Sequence, residues 1–241
     1  MEPRTYRHWV EGNDLLPFTV TVKETDLYIR ALSNLERKAY KLVSKYREQL
    51  EKYAGKHPEF LTSLQPLPVT TEMPQIAKQM SEAAMAAGVG PMAAVAGAIA
   101  EFVGRDLLSF SSEVIVENGG DIYLRSLRKR IIGIYAGKSP LTGKIGLEIE
   151  GQDTPLGICT SSGTVGHSLS FGRADAVVAL AQSAALADAA ATAIGNLIQQ
   201  PEDINKGIEF ARGIKSLKGV VIIKDDNMGF WGDVTICQTS T

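Results

Sequence analysis

Hydrophobic and polar residues alternate near the start of the chain, from residue 18 onward. Residues 18–23 (Phe-Thr-Val-Thr-Val-Lys) alternate with a period of two, and residues 26–30 continue this pattern after a short polar turn. A period of two places successive side chains on opposite faces of a strand. The pattern therefore predicts a β-hairpin here.

A period of three to four residues replaces the alternation after Ser33. It predicts a helix that ends at Gly55, and Ser33 and Glu36 have the spacing of a capping box at its start. Its apolar stripe consists of Leu35, Ala39, Leu42, Val43, Tyr46, Leu50 and Tyr53.

The next prolines predict where further helices begin. Residues 58–74 are rich in proline and are predicted to form a loop or linker. Pro74 and Pro91 are each suited to the first position of a helix, and the glycines that follow, Gly88 and Gly104, are suited to the ends.

Beyond residue 104 short apolar runs are separated by Gly, Lys and Pro turns. The pattern predicts strands at 114–116, 122–124, 131–135, 145–149, 158–160, 176–181, 220–223 and 234–237, with helices at 183–199 and from Pro201 onward. Because strands and helices come in blocks, the predicted fold class is α+β, with mixed or antiparallel sheets packed against helices. We expect one domain over 1–241, helix-rich in 1–104 and strand-rich in 105–241.

Composition excludes several classes of function. Lys and Arg total 25 against 27 Asp and Glu, a net charge of −2 that gives no sign of a nucleic-acid surface. Two cysteines far apart fit neither a disulfide scaffold nor a zinc site. The alanine-rich runs are interrupted before they reach membrane-spanning length, and no signal peptide is apparent. We therefore expect a cytoplasmic protein, and the oligomeric state, including a homo-oligomer, stays open.

The first candidate for chemistry is the sequence Asn118-Gly119-Gly120-Asp121. Glycines allow close approach and positive φ, so this turn could offer backbone N–H groups to an anion. The alternative is an ordinary hairpin turn between two strands.

The second candidate is the stretch 159–175, which is rich in hydroxyl groups and glycines. Such a loop can surround phosphate or sugar oxygens. No Gly-x-Ser-x-Gly sequence supports a serine hydrolase, and an exposed polar loop is the alternative. The candidate ligand-binding residues are Thr160, Ser161, Ser162, Gly163, Thr164 and His167.

The third candidate lies in the small-residue helix predicted at 183–199. Asp188 and Thr192 are four residues apart, so their oxygens project from one helix face. A carboxylate and a hydroxyl suit a hard cation such as Mg²⁺, which also takes water and phosphate ligands. Ordinary packing, with Thr192 bonded to the carbonyl of Asp188, is the alternative.

A fourth stretch, 88–97, contains Gly88, Gly90 and Pro91 ahead of a helix. The helix N-terminus would offer free amides to an anion. A tightly packed core helix is the alternative.

The order of these motifs resembles that of the FAD:protein FMN transferases of the ApbE type, over roughly residues 114–199. The segments "VGPMAAVAGAIAE", "VENGGDIYL", "SSGTVGHSLSFGRADA" and "LADAAATAI" together resemble an uncharacterised ApbE-like (UPF class) protein family more closely, over nearly the whole chain. The resemblance implies an ApbE-like fold.

It also implies roles for the motifs. Asp188 and Thr192 match the magnesium-binding pair, and His167 approximates the pocket histidine. The Gly119-Gly120-Asp121 turn matches part of the FAD pocket, and the stretch 88–97, with Gly90, would form a wall of that pocket. The implied reaction is attack by a threonine of an acceptor protein on the FMN phosphorus of FAD, with Asp188 and His167 as catalytic residues and AMP as the leaving group.

Two departures leave catalysis open. His167 is not followed by the Asp-Pro-x-Thr-Gly of the transferases, and residues 88–97 lack their lysine. The chain is therefore interpreted either as a Mg²⁺-dependent enzyme acting on FAD or a related nucleotide, or as a flavin- or nucleotide-binding protein without transferase activity. A scaffold without a small-molecule site is a third alternative. Both site hypotheses require Asp188 to lie near Gly119 and Gly120 in space.

Overall fold

The described part of the chain folds into eleven strands and six α-helices. The computed structural model describes Trp9 and residues 14–164 and 171–239. The strands are β1 (Leu16–Val22), β2 (Thr25–Ala31), β3 (Val114–Asn118), β4 (Asp121–Arg125), β5 (Arg130–Gly133), β6 (Ile145–Ile149), β7 (Leu156–Ser161), β8 (Ala176–Ala181), β9 (Leu217–Lys224), β10 (Asn227–Gly232) and β11 (Ile236–Gln238). The helices are α1 (Glu36–Lys56), α2 (Glu59–Thr62), α3 (Gln75–Ala87), α4 (Val95–Leu107), α5 (Ala184–Gly195) and α6 (Ile204–Gly213).

The strands form two antiparallel sheets. The large sheet has eight strands in the order β1-β2-β3-β4-β7-β8-β9-β10, and the small sheet has the order β11-β6-β5. The large sheet thus includes the N-terminal hairpin as well as strands from the second half of the chain. The α+β prediction is confirmed, as is the opening hairpin.

The large sheet lies between a helical layer and the small sheet. Strand β4 illustrates the division, because Tyr123 packs in the core on the helical side whereas Ile122 and Leu124 pack in the core shared with the small sheet. This alternation follows from the period of two along a strand. Both faces of the central strands are therefore buried, and β8 is buried at all its positions.

Several predicted boundaries are wrong. The capping box is absent, because Leu35 occupies the N-cap position of α1 and the Asn34 side chain, not that of Ser33, accepts the amide of Glu36. The helix predicted from Pro91 begins as a 3-10 helix, Pro91–Ala94, and α4 then continues past Gly104. Strand β10 was not predicted.

Helix length bears on the expectation of no membrane segment. Among the described residues no single helix is long and apolar enough to cross a membrane. The helices Gln75–Ala87 and Pro91–Leu107 pass such a test only together, and they are bent by 104° relative to each other.

A buried ionic cluster joins the start of β5 to the start of β3. Arg130 donates to both carboxylate oxygens of Asp14, at 2.5 and 3.0 Å, and to Oε2 of Glu113 at 3.0 Å. The hydrogen bond from Arg130, opposed by desolvation, lowers the pKa of Asp14 to about 2. This cluster lies apart from the candidate motifs and is structural.

We expect Asp14→Asn to lower the free energy of unfolding by about 1 kcal/mol at pH 7. The full pKa shift corresponds to a larger free energy, but this carboxylate is partly exposed and solvent screens its interaction with Arg130. A carboxyl group with a lowered pKa in the folded state stabilises above its unfolded pKa and loses that contribution as the pH falls. Urea unfolding of both proteins should therefore show a difference that shrinks between about pH 4 and pH 2. A difference that is constant with pH would contradict the assignment.

Candidate functional site

The sequence Asn118–Asp121 forms the tight turn between β3 and β4. Gly119 and Gly120 have φ values of 69° and 108°, a region that side-chain-bearing residues rarely adopt. The amide of Gly120 donates to Oε1 of Glu117 at 2.9 Å, so it is bonded within the turn and not directed at a ligand. The backbone forms the hairpin turn of the alternative interpretation, with Asn118 paired to Asp121. The side chains of the turn remain candidates for contact with a ligand.

Helix α5 carries Asp188 and Thr192, as the periodicity predicted. Oδ2 of Asp188 accepts the amide of Gly97 at 2.8 Å, and the amide of Ala96 also favours the charged carboxylate. These two amides lie in the first turn of α4, where backbone N–H groups have no partner within the helix. Asp188 thus caps α4 from another helix. No hydrogen bond links the Thr192 hydroxyl to the carbonyl of Asp188 in the described residues.

This contact corrects one expectation. The helix predicted from Pro91 was expected to offer free amides to an anion at its N-terminus, but α4 begins at Val95 and its amides at Ala96 and Gly97 face Asp188. Asp188 keeps part of its surface exposed. Its second oxygen, Oδ1, is therefore the atom left to meet a ligand or cation.

The β3–β4 turn meets α4 and α5 at the same place. The side-chain amide of Asn118 donates to the carbonyl of Ala96 at 3.1 Å. Asp121 is close enough to Asp188 for the charge of Asp188 to raise its pKa. We call this meeting point the junction, and its residues are Gly97, Asn118, Asp121 and Asp188, with Thr192 one turn beyond Asp188 on α5. Asp188 thus lies near Asp121, the last residue of the Asn118–Asp121 turn.

Two carboxylates in the junction are costly to ionise together. Burial raises the pKa of Asp121 well above its ordinary value, and the charge of Asp188 raises it further, whereas the neighbouring Cys159 thiol and the Thr160 amide oppose the shift. Burial raises the pKa of Asp188 to about 7, although the amides of Gly97 and Ala96 oppose the shift. A proton or a cation between such carboxylates relieves their repulsion.

The junction has a donor set that suits a hard cation. Oδ1 of the buried Asp121 has no hydrogen-bond partner in the described part of the chain. Within those same residues no group of three or more His, Cys, Asp or Glu side chains is arranged to hold a metal ion. One or two carboxylates with water and phosphate oxygens is the usual arrangement for Mg²⁺, so the residues present fit that ion.

The strand β7 brings the second motif to α5. A Cβ atom at Gly195 would lie 3.5 Å from the hydroxyl of Ser161, so Ser161 lies against the last turn of α5. Thr160, on the neighbouring strand, would lie 3.9 Å from a Cβ atom placed at Gly120. These two residues adjoin the junction.

The rest of this motif forms the base of the β7–β8 loop. Thr164 bonds through its amide to Ser162 Oγ at 3.1 Å and through its hydroxyl to Oδ1 of the buried Asp175 at 3.1 Å. The amide of Gly163 donates to the carbonyl of Ala174 at 2.9 Å, which closes the base. Ser162, Gly163 and Thr164 therefore have structural partners of their own.

The returning limb of the loop is fixed along the end of α5. The Phe171 amide donates to Asn196 Oδ1 at 2.9 Å, and the Arg173 amide donates to the carbonyl of Ile198 at 2.7 Å. A Cβ at Gly172 would collide with the carbonyl oxygen of Gly195. The returning limb is thus held at Gly195 and Asn196, about one turn beyond Thr192. His167 itself lies outside the described residues, so its role stays a prediction.

Gly90 has a packing role. It is buried, and a Cβ there would collide with the carbonyl oxygen of Ser63. The need for glycine at this position is thus explained without a ligand. Two surface cavities among the described residues have volumes of about 290 and 470 Å³. Neither is lined by the candidate residues around Asp188, since Asp175 and Asp225 line the first and Tyr40 lines the second.

Two residues of this region were not predicted from the sequence. Cys159 is fully buried, and its thiol lies beside Asp121 and donates to the carbonyl of Ala184 at 3.3 Å. Glu101 is 5% exposed and binds the start of α5. An acid within the buried run 98–101 is the one sequence signal that could have found Glu101.

Comparisons with known proteins confirm the resemblance to an uncharacterised ApbE-like family. A family model described as "AbpE bacteria" matches residues 7–213. Among curated relatives, UPF0280 protein MJ1526 of Methanocaldococcus jannaschii is 43% identical over 221 residues, 89% of this chain and 90% of that protein. UPF0280 protein MK0206 of Methanopyrus kandleri is 46% identical over 220 residues, 88% and 89% of the respective chains.

Solved structures share the fold at low sequence identity. The flavin transferase ApbE from Vibrio cholerae matches with a TM-score of 0.61 and 14% identity, over 90% of this chain and 96% of that chain. The apo form of the Pseudomonas stutzeri flavinyl transferase ApbE matches with a TM-score of 0.54 and 14% identity, over 90% and 93%. At this identity the likeness establishes the fold, and function has to be argued from the site.

Proposed function

We propose that this chain, which belongs to the family described as AbpE bacteria, binds the diphosphate of FAD or a related flavin nucleotide at the junction. We further propose that it is a Mg²⁺-dependent enzyme that transfers FMN from FAD to a hydroxyl group of an acceptor protein, or to water. We also propose that it acts in the cytoplasm.

One observation carries this proposal. The β3–β4 turn, the first turn of α4 and the acidic face of α5 meet at one point, held by the bonds from Asn118 to Ala96 and from Gly97 to Asp188. Asp188 remains partly exposed there. Chain segments that are distant in sequence thus bring polar groups together at one point.

The residues have separable tasks. Asp188 and Thr192 would hold Mg²⁺, which when bound neutralises charge that develops on the diphosphate. Gly97 and Ala96 orient the Asp188 carboxylate through its Oδ2, which directs Oδ1 away from α4. Asn118 fixes the turn that carries Asp121 against α4.

The reaction itself is a displacement at phosphorus. The acceptor oxygen forms a bond to the FMN phosphorus, the bond from that phosphorus to the bridging oxygen breaks, and AMP leaves with the bridging oxygen. The acceptor hydroxyl loses its proton to a base, for which His167 is the predicted residue.

Incubation of the purified protein with FAD and Mg²⁺ tests the proposal. AMP and FMN, or AMP and flavinylated protein, should appear in equal amounts by chromatography and mass spectrometry. EDTA should stop their formation, and restored Mg²⁺ should recover it. No product from FAD or from a panel of nucleotide diphosphates would overturn the enzymatic part.

A binding protein without transfer is the second candidate. The observation that favours it is that Asp188 already satisfies an internal structural need by capping α4. In that case FAD would raise the melting temperature without release of AMP. If neither product nor stabilisation is found, both candidate functions are wrong.

A further inference from the structure

Glu101 of α4 receives the N-terminus of α5. Its Oε2 accepts the amides of Ala184 and Ala185 at 2.8 and 3.4 Å and the hydroxyl of Ser183 at 2.9 Å. Ser183 in turn accepts the amide of Leu186 at 3.4 Å. The first three amides of α5, which no helix can satisfy internally, therefore all have partners.

This contact mirrors the one made by Asp188. Asp188 of α5 caps the first turn of α4, and Glu101 of α4 caps the first turn of α5. Gly97 and Glu101 are four residues apart on α4, and their partners Asp188 and Ala184 are four residues apart on α5. Each interval is about 6 Å along a helix axis. The two bonds therefore match in spacing and fix the register of an antiparallel pair.

The helices are also in close contact at this point. A Cβ at Gly97 would collide with the carbonyl oxygen of Ala184 and lie 2.8 Å from Cβ of Asp188. A slip of α5 along α4 would separate Gly97 from Asp188 and Glu101 from Ala184 together. Glu101 is buried, and a carboxyl group at this position suits the positive end of the α5 dipole.

We propose that Glu101 is a positioning residue that holds α5 in register with α4 and thereby places the Asp188 carboxylate in the junction. It touches no substrate and acts through the backbone of α5. The consequence for magnesium affinity rests on the proposed function, whereas the effect on the contact between Gly97 and Asp188 does not.

The Glu101→Gln variant tests this role in the full-length protein. It keeps the shape of the side chain but replaces the carboxylate oxygen that accepts three hydrogen bonds with a weaker, neutral amide acceptor. Amide hydrogen exchange should show the protection of the Gly97 amide reduced by about 10-fold relative to other α4 amides. Mg²⁺ added alone should bind about 10-fold more weakly, as residues that orient a metal ligand typically show.

Glu113→Gln is the matched control, because Glu113 is an equally buried acid that binds Ser126 and Arg130 away from the junction. It should lower overall stability without a selective effect on Gly97. Unchanged protection of Gly97 in Glu101→Gln would overturn the positioning role, even if wild-type protein binds no Mg²⁺ and the proposed function fails.

If Glu101→Gln does not fold, Ser183→Ala takes its place. This variant removes one of the donors to Glu101 and keeps the carboxylate. A selective loss of protection at Gly97 of about 3-fold would support the proposal, on the same scale of local opening. Exchange at Gly97 that follows the rest of α4 would refute it.

Discussion

The Asp188→Asn variant is expected to lose about 100-fold or more of the Mg²⁺-dependent turnover of FAD, about 2.7 kcal/mol of transition-state stabilisation. An amide can still accept the Gly97 N–H, so the capping contact to α4 is retained. It offers no negative charge to a cation, so the proposed metal ligand is lost. Product formation at saturating Mg²⁺ and FAD measures the effect.

Stability distinguishes a local effect of this variant from unfolding. Burial raises the pKa of Asp188 to about 7, above its unfolded value of 3.8. A carboxyl group of this kind contributes stability fully below the unfolded pKa and loses it as the pH rises through the folded pKa. Asp188→Asn stays neutral throughout, so its stability relative to wild type should rise between about pH 4 and pH 7.

The control for this prediction is Asp153→Asn, an exposed acid in the 3-10 turn Gly151–Asp153. It should keep wild-type turnover. Full activity in Asp188→Asn would remove Asp188 from the proposed machinery.

Local patterns were sufficient for most of the fold. Alternation predicted the hairpin of β1 and β2, and strands β6 and β8 begin and end where the pattern placed them. Strand β10 was missed because its sequence, Asn227–Gly232, contains two glycines and follows two aspartates, which resemble a turn. Its pairing with β9 supplies the order that its own residues do not.

The candidate site could be predicted only in part. The spacing of Asp188 and Thr192 is a local property, and it correctly placed both on one helix. The partner of Asp188 is 91 residues away in sequence, and no local pattern encodes the bond to Gly97. For the same reason Glu101 was missed, although it stands among apolar residues.

Glycine is required for two different physical reasons in this chain, and the sequence alone does not distinguish them. Gly119 and Gly120 are required by positive φ in a turn. Gly90 and Gly97 have ordinary backbone conformations and are required by close approach of another segment. A pocket was predicted at both kinds of position, yet only the structure shows which backbone occupies the space beside each one.

Gly97→Ala is expected to have the largest effect on stability, a loss of about 2–3 kcal/mol in the free energy of unfolding. The added methyl group would overlap the backbone of Ala184 and contact Cβ of Asp188. Neither atom belongs to a flexible side-chain end, so α4 and α5 must move apart. The same movement lengthens the bond from Gly97 to Asp188, and turnover of FAD should fall with stability.

Gly55→Ala is the matched control because Gly55 is an exposed position in α1 with no atom within 4 Å of an added Cβ. Alanine is the better helix former, so this variant should be more stable by up to about 1 kcal/mol, with unchanged activity. Chemical denaturation of the two variants measures opposite signs for the same substitution. Equal stability of Gly97→Ala and wild type would mean that α4 and α5 are not in the close contact on which both the capping pair and the proposed site depend.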